Sequence, residues 1–98
     1  RRKLKKFKIV YAKPVEKDVK RLEEKTIGRL RKALQRLTDN PFPGSATGKI
    51  IKKLEIKEPT YRLRVGEHRV IYRIETAKII VLRIIHRKEL EKELKKLR

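Results

Sequence analysis

From Thr60 to His86 the chain alternates apolar and polar residues with the two-residue period of half-buried strands. Three runs, Thr60–Val65, His68–Glu75 and Lys78–His86, are separated only by the pairs Gly66-Glu67 and Thr76-Ala77. Connections this short join antiparallel neighbours, so the runs predict a three-stranded meander. A similar alternation of Phe7, Ile9 and Tyr11 with Lys6, Lys8 and Val10 predicts a first strand near residues 5–11. Between these segments the period lengthens. Val15, Val19 and Leu22 follow Pro14, which suits a first helical turn because its missing N–H costs nothing there. Ile27, Leu30, Leu34 and Leu37, with Ala33, mark a second helix that Thr26 is placed to cap and that Asn40 ends, ahead of Pro41. Residues 40–49 read as a loop, and "IIKKLEIKEP" as a transition into the meander. In "HRKELEKELKKLR", Leu90, Leu94 and Leu97 share a helical face. The order β-α-α-β-β-β-α predicts an α+β fold over residues 1–98. It is a single domain with a mainly antiparallel sheet, the helical hairpin on one face, and a basic arm over residues 1–4.

Strand parity assigns the faces. Tyr61, Leu63 and Val65 oppose Arg62 and Arg64; His68, Val70, Tyr72 and Ile74 oppose Arg69, Ile71, Arg73 and Glu75. In the third run Ile80, Leu82 and Ile84 oppose Ile79, Val81, Arg83 and Ile85, with Arg87 continuing the second set. Each strand has one face fit for the core, and every arginine of the meander falls on the other. An uncovered sheet face must be polar, but this one carries six arginines, no lysine and one acid, Glu75, in a chain that uses lysine freely elsewhere. Guanidinium forks suit bidentate phosphate binding and keep their charge at any physiological pH.

Charge enlarges this picture. Thirty-one Lys and Arg against 12 Asp and Glu give +19, and such an excess implies polyanionic partners: RNA, DNA or an acidic protein. Lys49, Lys52 and Lys53 add cations just ahead of the meander. "GSATGK" is not a nucleotide-binding loop, for three residues separate its glycines where four are needed and Ile50 follows the lysine. With no cysteine, disulfides and thiolate metal sites are excluded. His68 at a turn and His86 at a strand end are expected apart, which gives no metal site and no cofactor. No apolar run approaches the roughly 18 residues of a membrane span, and a cytoplasmic protein is expected.

"YRLRVGEHRVIYRI" followed by "VLRIIHRKEL" resembles the RelE/ParE superfamily of toxins from toxin–antitoxin systems. The likeness is strong over residues 61–90, and the helical hairpin and first strand extend it over nearly the whole chain. In the RelE branch it implies a toxin that cuts mRNA in the ribosomal A site without a metal. A ribose 2′-OH attacks the adjacent phosphate, and a 2′,3′-cyclic phosphate forms as the 5′-oxygen leaves. By this resemblance Arg69 and Arg87 match the family's phosphate-stabilising arginines. Arg62 and Arg64 stand at two positions often held by lysine and would grip the backbone or assist. Arg73, Arg83, Lys49, Lys52 and Lys53 would extend the RNA contact.

The sequence departs from the family pattern in two places. The tyrosine that follows "HR" in the family would fall near Glu91, and residues 88–98 contain none. Where relatives have a lysine proposed as base stands Arg64, and a guanidinium is a poor proton acceptor at neutral pH. His86 is the remaining acid–base candidate, although its parity groups it with Ile84 on the core side. The implied partners are the ribosome (30S A site), its mRNA, and an acidic cognate antitoxin lying on the sheet or displacing the last helix; no membrane is involved. Two other readings stay open: a ParE-type inhibitor of DNA gyrase, and a non-catalytic RNA-binding protein.

Overall fold

A computed structural model describes residues 6–97, and the basic arm expected over residues 1–4 lies outside them. The elements run β1 Lys8–Tyr11, α1 Pro14–Lys20, α2 Glu24–Leu37, β2 Ile51–Lys53, β3 Tyr61–Val65, β4 His68–Glu75 and β5 Lys78–His86; a 3-10 turn, Arg87–Glu89, then leads into α3 Leu90–Leu97. One sheet holds all five strands in the order β1-β5-β4-β3-β2. Only β1 pairs in parallel, with β5; the other contacts are antiparallel.

The expected order holds with one addition. The transition ahead of the meander contains β2, in which buried Ile51 precedes exposed Lys52 and Lys53. A single inward residue in three gives no period to read. Tertiary pairing defines the strand instead: Arg64 N–H donates to Ile50 and Leu54 N–H to Thr60, beside the β2–β3 ladder. Helix α2 starts two residues before the expected cap. Glu23, in extended conformation, is the cap residue, and Thr26 falls inside the first turn.

The hairpin α1–α2 covers one face, where Val15, Leu30, Leu34 and Leu37 pack against Ile51, Leu63, Val70, Tyr72, Ile79, Val81 and Ile84. Parity holds for β3 and β4 and is corrected in β5. There Ile79 and Val81 face the hairpin in place of Ile80 and Leu82. The cause is a β-bulge: Tyr72 pairs with Val81 but Ile71 with Arg83, which leaves Leu82 as the extra residue. From Ile79 to Ile85 only Arg83 is polar, so alternation carries no information about where the parity changes.

The helices also do not all share one face. Ile71, Ile85 and Leu94 are buried outside the main core. By register Ile71 and Ile85 belong to the arginine side, and α3 turns onto that side, where Glu93 reaches Arg83. Burial of aliphatic side chains there, worth about 2 kcal/mol each, holds the helix down.

Candidate functional site

Cross-strand pairing lines the arginine face in rows. Lys52, Arg62, Ile71 and Arg83 form one row from β2 to β5, and Arg64, Arg69 and Ile85 form the next. Arg64 and Arg69 are direct partners, a placement that brings Cβ atoms to about 5 Å and makes like charges repel. Burial together with the charges of Arg69 and Arg64 pushes the Arg62 pKa down. Burial together with Arg64 and Arg87 does the same to Arg69, against a smaller opposing pull from Glu67. Arg62 and Arg69 nonetheless remain charged, since a guanidinium does not deprotonate in proteins.

The β3–β4 turn fixes this group. Gly66 has φ +61°, a left-handed conformation that glycine adopts without steric cost. One Arg69 nitrogen, Nη1, donates to the carbonyls of Gly66 and His68, both at 2.9 Å, folding the guanidinium back over the turn. The next residue, Glu67, accepts the Arg87 amide on its carbonyl at 2.8 Å and Arg87 Nε on its carboxylate. The hairpin turn thus holds two arginines, Arg69 of β4 and Arg87 of the 3-10 turn that follows β5. Glu67 was not singled out from the sequence; the available signal was its place in the turn between Arg64 and Arg69. Among the described residues no carboxylate pairs with Arg62, Arg64 or Arg69.

Two other expected phosphate ligands, Arg83 and Arg73, are engaged by carboxylates. Arg83 shares the arginine face but is not free. Its Nε and Nη2 each lie 2.8 Å from the Asp18 carboxylate, and Nη1 donates to Glu93. Asp18 also accepts the Ile84 amide at 2.9 Å, so it caps the β5 edge beyond the reach of β1 and fastens Arg83 at once. Arg73 pairs with Glu58 at 2.7 Å. Lys52 is exposed on the arginine face, whereas Lys53 pairs with Tyr61 and so takes the hairpin side; Lys49 is exposed in the loop before β2.

His86 and His68 are not apart, as expected, but cross-strand partners with ring centroids 5.5 Å apart at 76°. Both continue the hairpin side of the sheet beyond Val70 and Ile84. His86 Nδ1 accepts the Lys88 amide at 3.1 Å, which puts the proton of the neutral ring on Nε2, 4.0 Å from a Glu67 oxygen. Burial, aided by His86, pushes the His68 pKa down. Among the described residues no set of three or more His, Asp or Glu is spaced to hold a metal ion, and no helix is long and apolar enough to cross a membrane.

The result is a patch of four guanidinium groups, Arg62, Arg64, Arg69 and Arg87, with one carboxylate at its border. Guanidinium groups so arranged have the chemistry to bind a phosphate and stabilise added negative charge on it.

Comparison with known proteins places this geometry in a family. The family model for the ParE toxin of type II toxin–antitoxin systems matches residues 9–91. A candidate toxin, RelE1, of Methanocaldococcus jannaschii is 33% identical over 85 residues, covering 86% of this chain and 92% of its own. The archaeal RelE–RelB complex of Pyrococcus horikoshii OT3 contains a chain with TM-score 0.70 and 25% identity, covering 85% of this chain and 97% of that one. The RelB–RelE antitoxin–toxin complex of Methanococcus jannaschii gives TM-score 0.67 at 24% identity, a likeness of fold, over 86% and 96% of the two chains. By its sequence match and its fold, the chain belongs to the RelE/ParE superfamily of toxins from type II toxin–antitoxin systems.

Proposed function

We propose that this protein is a toxin that inhibits translation by cleaving mRNA in the ribosomal A site. The observation that carries the reading is the group Arg62, Arg64, Arg69 and Arg87, in which charges repel one another with a single carboxylate at the edge. Holding like charges together costs folding energy, and a phosphate recovers that cost on binding. In the proposed reaction the ribose 2′-OH attacks the neighbouring phosphorus, the P–O5′ bond breaks, and a 2′,3′-cyclic phosphate and a 5′-hydroxyl result. Arg69, steadied by two turn carbonyls, and Arg87, steadied by Glu67, stabilise charge on the phosphate. Arg62 and Arg64 grip the backbone, with Lys52 extending the row.

Proton transfer falls to groups at the border. The arginines are poor bases. His86 is the acid–base candidate, and its Nε2 faces Glu67 at 4.0 Å. In this reading the cytoplasm, where ribosomes are, is the site of action. An acidic antitoxin is the partner, as RelB is for RelE in the neighbouring complexes.

The missing tyrosine, with "HRKELEKEL" in its place, favours a second reading: a ParE-type inhibitor of DNA gyrase that shares the fold without cutting RNA. One experiment separates the two. Ribosomes programmed with a defined message are incubated with the protein and 5′ ends are mapped. A-site cuts that vanish in Arg69→Ala and Arg87→Ala support the nuclease. Intact message with inhibited gyrase supports the second reading.

A further inference from the structure

His86 ends β5 in extended conformation (φ −73°, ψ 147°) and caps the 3-10 turn Arg87–Glu89 that leads into α3. The capping atom is unusual. Side-chain caps are mostly the oxygens of Ser, Thr, Asp and Asn, which accept throughout the neutral range. Here the ring nitrogen Nδ1 accepts the Lys88 amide at 3.1 Å. An imidazole nitrogen accepts only while it carries no proton, and in the cation both nitrogens donate. A single proton therefore turns this acceptor into a donor aimed at another donor. It also sets positive charge at the N-terminal end of a helical segment, where the backbone dipole opposes it.

The His86 side chain is 36% exposed, so protons reach it from solvent. Charged groups face it from each neighbouring element. Glu67, in the β3–β4 turn, has an oxygen 4.0 Å from Nε2 and favours the cation. The bond from Arg87 pushes the Glu67 pKa down, so that carboxylate stays ionised. His68 across the β4–β5 pair, with Arg69 beside it, and Arg87 next in the chain oppose the cation. Asp18 and Arg21 of α1 and Glu89 of the turn line a small cavity of about 130 Å³ with both rings. Burial, with His86, pushes the His68 pKa down, so a proton arriving at the pair goes to His86. Once charged, His86 competes with Arg87 for the Glu67 carboxylate, which now holds Arg87 Nε. Further along α3, Glu93 stays on Arg83 and Leu94 stays buried, so only the start of the helix loosens.

We propose that His86 is a pH-sensitive cap: protonation of its ring releases the Lys88 amide and loosens the turn that positions Arg87 ahead of α3. The cap's stabilising contribution is present while the ring is neutral and is lost as pH falls through the ring's titration. Its bearing on phosphate binding rests on the role proposed for Arg87. The switch itself does not, and it is tested without RNA, so either can fail alone.

The isotopically labelled full chain is titrated by NMR from about pH 8 to about pH 5, the span in which imidazoles change charge. Ring resonances report the protonation of each histidine. Solvent exchange of the Lys88 amide, corrected for its intrinsic pH dependence, reports the cap. Exchange is expected to speed up about fivefold to tenfold, the equivalent of a lost cap, with the midpoint of the His86 ring. In His86→Asn the side-chain oxygen stands where Nδ1 stood and does not titrate, so exchange stays slow throughout. In His86→Gln the acceptor moves one bond outward, and exchange is fast throughout. His68→Gln leaves the transition in place. The proposal is overturned if Lys88 exchange ignores the His86 titration, or if the His86 ring stays neutral to the end of the range. It is also overturned if His86→Asn keeps the transition, or if His68→Gln removes it, which would assign the switch to His68.

Discussion

Replacing Asp18 by alanine tests the central join between helices and sheet. Its side chain is 4% exposed and receives Arg83 Nε and Nη2 at 2.8 Å and the Ile84 amide at 2.9 Å. Alanine leaves a buried backbone N–H unsatisfied, costing about 1–3 kcal/mol, and strips two charge-assisted bonds from Arg83. Arg83 is 23% exposed and keeps Glu93, so water and that carboxylate recover part of the second loss. The expected sum is about 3 kcal/mol, or about 15 °C in melting temperature for a chain of this size. Urea unfolding followed by circular dichroism, with the Arg83→Met single and double variants, gives the coupling, expected at about 2 kcal/mol. A loss below about 1 kcal/mol for Asp18→Ala, or additive single effects, would refute the reasoning. The same variant carries a pH signature. Burial pushes the Asp18 pKa up, but the bonds from Arg83 and Ile84 and the charges of Arg83 and Arg21 outweigh it, so the net direction is down. A carboxyl whose folded pKa is depressed contributes stability above its unfolded pKa, near 3.9, and loses it as pH falls through the folded value. The gap between wild type and Asp18→Ala is therefore steady down to about pH 4 and closes below it.

Further expectations concern the arginine face and its supports. Arg64→Ala relieves repulsion with its partner Arg69, so stability holds or rises slightly, while RNA affinity falls and its log–log salt slope shrinks by about 0.7 for each lost phosphate contact; an unchanged slope would exclude Arg64 from the contact. Gly66→Ala forces φ +61° on a residue with Cβ, and a loss of about 1 kcal/mol is expected in denaturant titration, with weaker RNA binding as Arg69 loses its seat. Tyr72→Phe removes a buried hydroxyl that donates to Pro41 at 2.7 Å, leaving that carbonyl short of a donor. Its expected cost is about 1 kcal/mol, seen in the unfolding midpoint, with RNA affinity unchanged.

Much of this architecture is legible in the chain because solvent enforces simple periods on half-buried elements. Tyr61 to Glu75 alternates except at Ile71, and its faces in the structure are those the alternation assigns, because one face packs under the hairpin and the other is mostly charged. Arg62, Arg64, Arg69 and Arg73 were therefore placeable from spacing alone. The signal fails where both faces are apolar. Between Ile79 and Ile85 nothing marks Leu82 as the extra residue, and the bulge exists through pairing with β4. Neither could the sequence separate free arginines from engaged ones. Arg83 looks like Arg69 in the chain, yet Asp18, 65 positions away, takes its guanidinium. His68 and His86 are 18 positions apart in the chain, and only the β4–β5 register sets their rings together. What the sequence determined by itself is local: which residues alternate, which stripe buries, and the size of the positive charge. Tertiary structure decided which of those charges remain available to an anion, because a carboxylate neutralises only the cation that folding brings within hydrogen-bonding distance.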